Sequence, residues 1–474
     1  MLNVHAHDSV ARQVEVIPSR LYWVSVEHVP KNTNKSYFFS VDDDMKYEPY
    51  NNDFGPLDLS KVYRYCQKLE TILNDPCLEG KQIVHCCSRD PRKRANAACL
   101  ICLYCVAVRG QSADEAFEPF KSIKPAFRPF RDAGFSAACA YQMTIHDCLA
   151  GMEKAIELGW FSFETFDVHI YEELAQYDSC GLNWIIPDKF IALAGPTMHR
   201  GWYAPDHYVP LFCRLGVKLV VRLNEKQYKS HQFTDNGIGH AELMFEDGSC
   251  PPAAIVSRFL SLTEAETGAI AVHCMAGLGR TCTLIALYAM KHFKFPARAV
   301  IAWNRLCRPG SIIGPQQQFI VDMQGAMFQM SPDSNGDGTE VTNLEAQCAV
   351  AGLPGFEDKG QGERLCRARG LGTRERLTSC ESTISAISAS TASGGSTSAT
   401  SSDSFTDALP VPSDFVVGDA TSDSVSKCDI TLDGLVEASI AAAANTSGAR
   451  LLGPRSCRGR HSFRPRRPRN SGNR

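Results

Sequence analysis

Val272-His-Cys-Met-Ala-Gly-Leu-Gly-Arg-Thr281 is the stretch on which the fold turns. It follows the strand-like run Ala269–His273 and leads into an apolar helical pattern, Thr281–Phe293. A strand delivers Cys274 to a loop, and a helix begins as the loop ends. Such a loop sits at a helix N-terminus, where unpaired N–H groups and the helix dipole favour an anion, thiolate or phosphate. Gly277 and Gly279 let the backbone curl so that successive N–H groups point inward across Met275, Ala276, Gly277, Leu278 and Gly279. Arg280, six residues after the cysteine, closes the ring with a two-pronged guanidinium.

Cleaving a phosphate ester with cysteine needs a thiolate, a cradle of N–H groups, an arginine and an acid for the leaving oxygen. Cys274 is the expected nucleophile, residues 275–280 the cradle, and Thr281 a hydroxyl that donates to the thiolate. His273 is expected to fix the loop through a backbone hydrogen bond. The acid should lie on an upstream loop, and Phe245-Glu-Asp-Gly-Ser-Cys-Pro251 fits. Asp247 is the chosen acid and Glu246 the alternative. Gly314-Pro-Gln-Gln-Gln-Phe319 opens a helix with amides, and Gln316 or Gln317 is a candidate to position the hydrolytic water. This chemistry calls for no metal and no cofactor.

The chain supplies its own control. His85-Cys-Cys-Ser-Arg-Asp-Pro-Arg92 also reads His-Cys, five residues, Arg. That loop has no glycine, Pro91 lacks a donor N–H, Asp90 would repel phosphate, and Lys93 stands where threonine should follow. It reads as a degenerate copy in a non-catalytic first domain.

Outward from these loops, Phe190–Ala194 and Lys218–Arg222 read as buried strands. Helical patterns fill Ala253–Thr263, Ala297–Leu306 and Gln316–Phe328, while the first half has a strand at Lys81–His85 and an apolar helix at Arg94–Val108. Alternating strands and helices predict an α/β fold of two similar tandem domains. The expected divisions are an N-terminal domain over 1–162, a linker helix over 163–185, a catalytic domain over 186–335 and a disordered tail over 336–474. The tail has no Trp or Tyr and is rich in Ser and Thr over 378–404, too little apolar surface to offset its ordering entropy. It ends in the basic run Arg455–Arg469, read as a nuclear targeting signal. Ser331-Pro332 is the only Ser-Pro pair, so a substrate-like tail has little sequence support.

The formal charge of −3 gives no global field for nucleic acid or membrane, and the longest apolar run, near 97–108, is too short to span a bilayer. No basic-then-apolar leader opens the chain, so its 20 cysteines are expected to be mostly reduced.

Several stretches resemble the cell-division-cycle protein fourteen family of dual-specificity phosphatases, associated with mitotic exit. They include Asp53-Phe-Gly-Pro-Leu-Asp-Leu59, Val62-Tyr-Arg-Tyr-Cys66, Arg92-Lys-Arg-Ala-Asn-Ala97, Asn183-Trp-Ile-Ile-Pro187, Phe233-Thr-Asp235, His273–Thr281 and Gly314–Phe319. The resemblance spans about 20–330 and implies two dual-specificity-phosphatase-like domains joined by a helical linker, only the second catalytic. It implies phosphoprotein substrates made by proline-directed kinases, with phosphoserine-proline preferred, phosphothreonine and phosphotyrosine also cleaved, and a basic residue further on. An acidic linker helix would attract that residue, with Glu172 and Glu173 as candidates. The implied setting is cell-cycle control, in nucleus and cytoplasm, with centrosome, spindle or basal body as further locations. Cys282 departs from the family's usual glycine after Arg-Thr, and Cys250 and Pro252-Ala-Ala254 alter the region after the acid loop.

Two other readings compete. A lipid phosphatase acting on inositol head groups would carry lysines in the loop, where this chain has Met275 and Leu278. A catalytically weak scaffold would lack the Cys, Arg or acid, and none is lacking in the second domain.

Overall fold

The structure, a computed structural model, describes residues 13–135, 141–177, 181–196, 204–330, 348 and 360–369. In the first half, strands β1 (Val14–Ile17), β2 (Leu21–Ser25), β3 (Ser36–Phe39) and β4 (Gln82–Cys87) form a sheet ordered β1-β2-β4-β3. β1 and β2 make an antiparallel hairpin, while β2 and β3 run parallel to β4. In the second half, β5 (Leu182–Ile186), β6 (Phe190–Ala194), β7 (Val217–Arg222), β8 (Gly239–Glu242) and β9 (Ala269–Cys274) are ordered β5-β6-β9-β7-β8. Again the first pair is an antiparallel hairpin and the rest is parallel. Both sheets therefore place the strand that ends in cysteine at an interior position, with a hairpin on one side. The duplication expected from the two His-Cys loops is present at the level of strand order.

The helices are α1 (Leu59–Leu73), α2 (Pro91–Ala107), α3 (Ala113–Phe117), α4 (Ile145–Glu157), α5 (Val168–Gln176), α6 (Pro205–Arg214), α7 (His231–Thr234), α8 (Ala253–Ala265), α9 (Gly279–Phe293), α10 (Ala297–Cys307), α11 (Pro315–Gln329) and α12 (Gln361–Ala368). β9 is buried along its whole length, which its unbroken apolar run Ala269–Val272 dictates for a central parallel strand. α2 and α9, which follow the two cysteine strands, are buried on nearly every face. One hydrophobic core runs through both halves. It is pinned by Trp303, whose indole Nε1 donates to the Ile185 carbonyl at 2.9 Å, and by Arg298 of α10, whose fork meets the Asp147 carboxylate of α4 at 2.8 and 2.7 Å. Among the described residues no helix is long and apolar enough to cross a membrane.

Two boundaries differ from the sequence expectation. The linker helix is α5 alone, capped by Asp167, whose carboxylate accepts from the His169 and Ile170 N–H groups. Residues 182–185, assigned to that linker, belong instead with residue 186 to the edge strand of the second sheet, because Asn183-Trp-Ile-Ile pairs antiparallel with β6. The region called a disordered tail also contains α12, with Leu365 buried against Ala133, Ala276, Leu278 and Ile313. The basic C-terminal run, Ser331-Pro332 and the rest of the tail lie outside the described residues.

Candidate active site

β9 ends at Cys274 and α9 begins at Gly279, so the intervening turn leads directly into the N-terminus of α9. What shapes the turn is where its carbonyls go. The Met275 carbonyl accepts from the Gly195 N–H at 3.0 Å, and the Leu278 carbonyl from the Ile312 N–H at 3.2 Å. The Ala276 and Gly277 carbonyls accept from Arg308, through Nη2 at 3.1 Å and Nε at 2.8 Å. Four consecutive carbonyls are thus held from behind. Among the described residues, the N–H groups of Met275, Ala276, Gly277 and Leu278 donate to no acceptor. They form the open N–H cradle that an anion needs.

Two glycines are required for this turn. Gly277 has φ +68°, and a Cβ there would lie 1.9 Å from the Leu193 carbonyl oxygen. At Gly279 a Cβ would meet the Gln316 Oε1 at 2.8 Å. Arg308 is buried, and its Nη1 also binds the Gly181 carbonyl at 2.9 Å and Asn183 Oδ1 at 2.7 Å. It ties the back of the loop to the residues leading into β5. Sequence reasoning missed it, since an arginine before Pro309-Gly310 reads as an ordinary polar turn.

Cys274 is 3% exposed at the base of the cradle. Arg280 is buried, with Nη1 on the Leu223 and Phe245 carbonyls at 3.2 and 2.8 Å and Nη2 on Asp247 Oδ1 at 3.1 Å. Asp247 therefore faces the cradle. Glu246, its neighbour, is exposed and its backbone carbonyl accepts from Ser249. Arg280 Nε and Thr281 Oγ1 are buried and have no hydrogen-bond partner among the described residues. Two unpaired donors beside a ring of free N–H groups make a site short of acceptors, which a phosphoryl group supplies.

His273 does not act alone. Its ring is fully buried, and desolvation pushes its pKa down to about 3. Held neutral, it sets Nδ1 3.2 Å from the Cys274 carbonyl and Nε2 2.7 Å from the Tyr228 hydroxyl, which in turn lies 2.9 Å from His240 Nε2. Burial also pushes His240 down, to about 4. With both rings neutral, one consistent proton order runs from His240 N–H through Tyr228 O–H to His273 Nε2, leaving Nδ1–H to hold the loop.

The amides separate. Gln316 is buried against Gly279, with Nε2 donating to the Ser249 carbonyl at 3.0 Å, so it links the acid loop to the cradle. Gln317 does not reach the site. Arg305 Nη2 holds its Oε1 at 2.5 Å, and its own Nε2 donates to the Gly314 carbonyl at 3.1 Å. Both ends of that amide are committed to shaping the turn before α11, so the water-positioning role expected for Gln317 is withdrawn. Cys282 is fully buried below the loop, its Sγ 3.3 Å from Ser311 Oγ, and burial pushes its thiol up to about 12. It is a packed thiol, not a second nucleophile.

The two acids proposed for peptide binding also separate. Glu172 lines a cleft of about 530 Å³ between the halves, but Arg64 already forks its carboxylate at 2.7 and 2.5 Å. Glu173 is partly exposed and is not in the cleft lining. The site's remaining wall comes from the tail. The Gly362 N–H donates to Asp247 Oδ2 at 2.7 Å, and a Cβ on Gly362 would lie 2.7 Å from Met275 Cβ. Gln361 is buried beside it. The signal for α12 was present but slight: Gln361–Arg369 has no Ser or Thr, in contrast to the region that follows, and pairs Glu363 with Arg367 at helical spacing, 2.6 Å apart.

Comparison with known proteins places this geometry. Residues 15–155 match the family model "Dual specificity protein phosphatase, N-terminal half", and residues 200–294 match "Polymorphic toxin system, DSP-PTPase phosphatase". The chain is 47% identical over 321 residues to the human dual specificity protein phosphatase CDC14A, covering 66% of this chain and 54% of that protein. It is 36% identical over 321 residues to the Saccharomyces cerevisiae tyrosine-protein phosphatase CDC14, covering 65% of this chain and 58% of that protein. The chain thus spans little more than half the length of several curated relatives it matches. The human CDC14C dual specificity protein phosphatase is covered more fully, at 42% identity over 66% of this chain and 71% of the relative. On that match, with the cradle, its arginine and its acid in place, the chain belongs to the CDC14 family of dual specificity protein phosphatases.

Proposed function

We propose that this chain is a dual-specificity protein phosphatase that cleaves phosphoserine followed by proline, and also phosphothreonine and phosphotyrosine, through a phosphocysteine intermediate. The observation that carries the reading is the donor ring: among the described residues, four N–H groups and the Arg280 Nε and Thr281 Oγ1 have no acceptor around a buried Cys274. In the first step the Cys274 thiolate attacks phosphorus, the bond to the serine oxygen breaks, and Asp247 gives its proton to that oxygen. The cradle and Arg280 hold the charge on the phosphoryl oxygens. In the second step Asp247 takes a proton from water as the water oxygen attacks phosphorus, which releases phosphate and restores the thiolate. Arg280 Nη2 at 3.1 Å from Asp247 Oδ1 brings acid and clamp to the same opening. The substrates would come from proline-directed kinases, in a cell-cycle role, in nucleus and cytoplasm.

Replacing Cys274 by Ser should lower turnover of a phosphoserine-proline peptide by at least about a thousandfold. Asp247→Ala should slow leaving-group departure, so that the variant retains phosphoserine-proline proteins in a pulldown. Equal rates for Cys274→Ser and the parent chain would end the proposal, and capture of phosphotyrosine proteins alone would end its substrate assignment.

A further inference from the structure

α12 lies where a substrate would have to enter. Its second residue, Gly362, donates its N–H to Asp247 Oδ2 at 2.7 Å, while Arg280 Nη2 holds Oδ1 at 3.1 Å. Both oxygens of the acid are engaged as acceptors, and neither turns an O–H toward a leaving serine oxygen. The backbone of Gly362 also presses on the rim of the cradle. A Cβ there would lie 2.7 Å from Met275 Cβ and 3.1 Å from Asp247 Oδ2, so the helix comes this close only with glycine. One turn of helix thus occupies the acid and covers the first residue of the cradle.

The hold on this position is limited. A helix of eight residues does not sustain itself in water, so its contacts must keep it in place. Leu365 packs on Ala133, Ala276, Leu278 and Ile313, and Arg364 lies over the Phe135 ring, 4.8 Å from its centroid. At the far end Arg369 donates to the Glu48 carbonyl at 2.9 Å. Glu363 and Arg367 face solvent and pair with each other. Even with α12 docked, the N–H groups of Met275 to Leu278 find no acceptor among the described residues. A phosphoryl group meets those donors and α12 does not, so substrate has a binding advantage with which to displace the helix. We infer that α12 is an autoinhibitory lid, which holds Asp247 and the cradle rim in the resting chain and must swing away before substrate enters. This role rests on the proposed reading of Cys274 and Asp247 as nucleophile and acid. A lid that competes with substrate raises KM by the closed fraction and leaves kcat at saturation unchanged.

The experiment compares the full chain with its Gly362→Ala and Leu365→Asp variants. The alanine Cβ would push against Met275 and Asp247 from the lid side. The aspartate would put a charge among Ala133, Ala276, Leu278 and Ile313. Neither residue belongs to the reacting set. One readout is kcat and KM on a phosphoserine-proline peptide. The other is the rate at which iodoacetamide alkylates Cys274, followed by mass spectrometry of the fragment that carries it. Both variants should lower KM about fivefold, with kcat within about twofold of the parent, and should speed alkylation of Cys274 by a similar factor. Should Leu365→Asp fail to fold, Gly362→Ala decides alone. A helix that only props the fold would leave KM unchanged or raise it. That result, or alkylation of Cys274 no faster than in the parent, overturns the inference. If neither the parent nor the variants cleave the peptide while the variants alkylate faster, the lid stands and the proposed substrate class fails.

Discussion

The two His-Cys loops share a scaffold and differ in what fills them. Each follows an interior strand, β4 or β9, and each leads into a buried helix. Each keeps its histidine buried against a tyrosine hydroxyl, His85 with Tyr65 at 3.0 Å and His273 with Tyr228 at 2.7 Å. Beyond that they diverge. In the first loop Asp90 caps α2, accepting from the Arg92 and Lys93 N–H groups at 3.0 and 2.9 Å, and Asp42 accepts from the Ser88 N–H at 2.7 Å. The anion site is occupied by the chain's own carboxylates. Burial, with the Asp42 charge added to it, pushes the Cys86 thiol up to about 12, away from the thiolate. In the second loop Leu278 stands at the cap position with no side-chain cap, and the donors stay free. An anion-binding loop and a self-capped helix start are therefore alternative answers to the same surplus of N–H groups.

The sharpest way to break the second answer is at Gly277. An alanine Cβ would sit on the Leu193 carbonyl and would demand a left-handed backbone, so the turn must open. We expect turnover of a phosphopeptide to fall at least about a thousandfold and stability to fall by about 3 kcal/mol. Chemical denaturation and a turnover assay check both. Full activity in Gly277→Ala would show that the cradle geometry is not what the reaction needs.

Arg308→Lys tests the loop from behind. Lysine keeps the charge but cannot reach the Ala276, Gly277 and Gly181 carbonyls together with Asn183. Freed carbonyls would swing toward the cradle and oppose the phosphate. A loss of about a hundredfold in kcat is expected, with about 2 kcal/mol of stability, by the same two assays. Among the described residues no arginine side chain binds the first loop's carbonyls, so Arg308 is part of what makes the second loop an anion site.

That contrast also marks what was legible in the sequence. The glycines, the residue after each arginine, and Pro91 and Asp90 were enough to tell the loops apart, because backbone freedom and donor count are local properties. The tandem α/β plan followed from the alternation of apolar strands and helices. Arg308, Asp42, Tyr228 and His240 were not legible, since the first three contact their loops across 31 or more positions of the chain and His240 acts through Tyr228. Their partners are backbone atoms or buried rings, and no spacing rule encodes such contacts. Gln317 misled because an amide next to a functional helix start is equally suited to binding Arg305. α12 was hidden by its surroundings: eight residues carry little helical signal, and its stability comes from Leu365 packing on Ala133, Ala276, Leu278 and Ile313.

Acid should weaken both halves through the same chemistry. His85 and His273 are held at about 3 and His240 at about 4, all by burial, against 6.5 for an unfolded histidine. A lowered folded pKa means the unfolded chain takes up the proton first. The stability tied to neutral histidine is then complete above pH 6.5 and is lost as pH falls toward 4 and 3. Each ring should contribute a slope of about 1 kcal/mol per pH unit in that window. Melting temperatures between pH 7.5 and roughly 5 check this. His85→Gln and His273→Gln should each flatten the curve, but only His273→Gln should also slow turnover, because only that ring holds the Cys274 carbonyl. A flat curve in the parent chain would contradict the buried neutral rings.

The smallest effect belongs to the first loop's own solution. Asp90→Ala removes the cap from α2 and leaves the Arg92 and Lys93 N–H groups to water. Loss of such a cap costs about 1 kcal/mol. It also removes one of the two carboxylates that fill the degenerate cradle, yet turnover should not change. Arg92 stacks over the Phe54 ring, 5.8 Å from its centroid, Arg89 stands where Gly277 stands in the other loop, and Cys86 remains a buried thiol. One substitution therefore cannot turn a capped helix start into an anion site. Denaturation should show the small loss, and assays of Asp90→Ala combined with Cys274→Ser should show no activity above Cys274→Ser alone. Activity gained in that double variant would mean the first loop is a latent catalytic site, and the division of labour between the two loops would have to be redrawn.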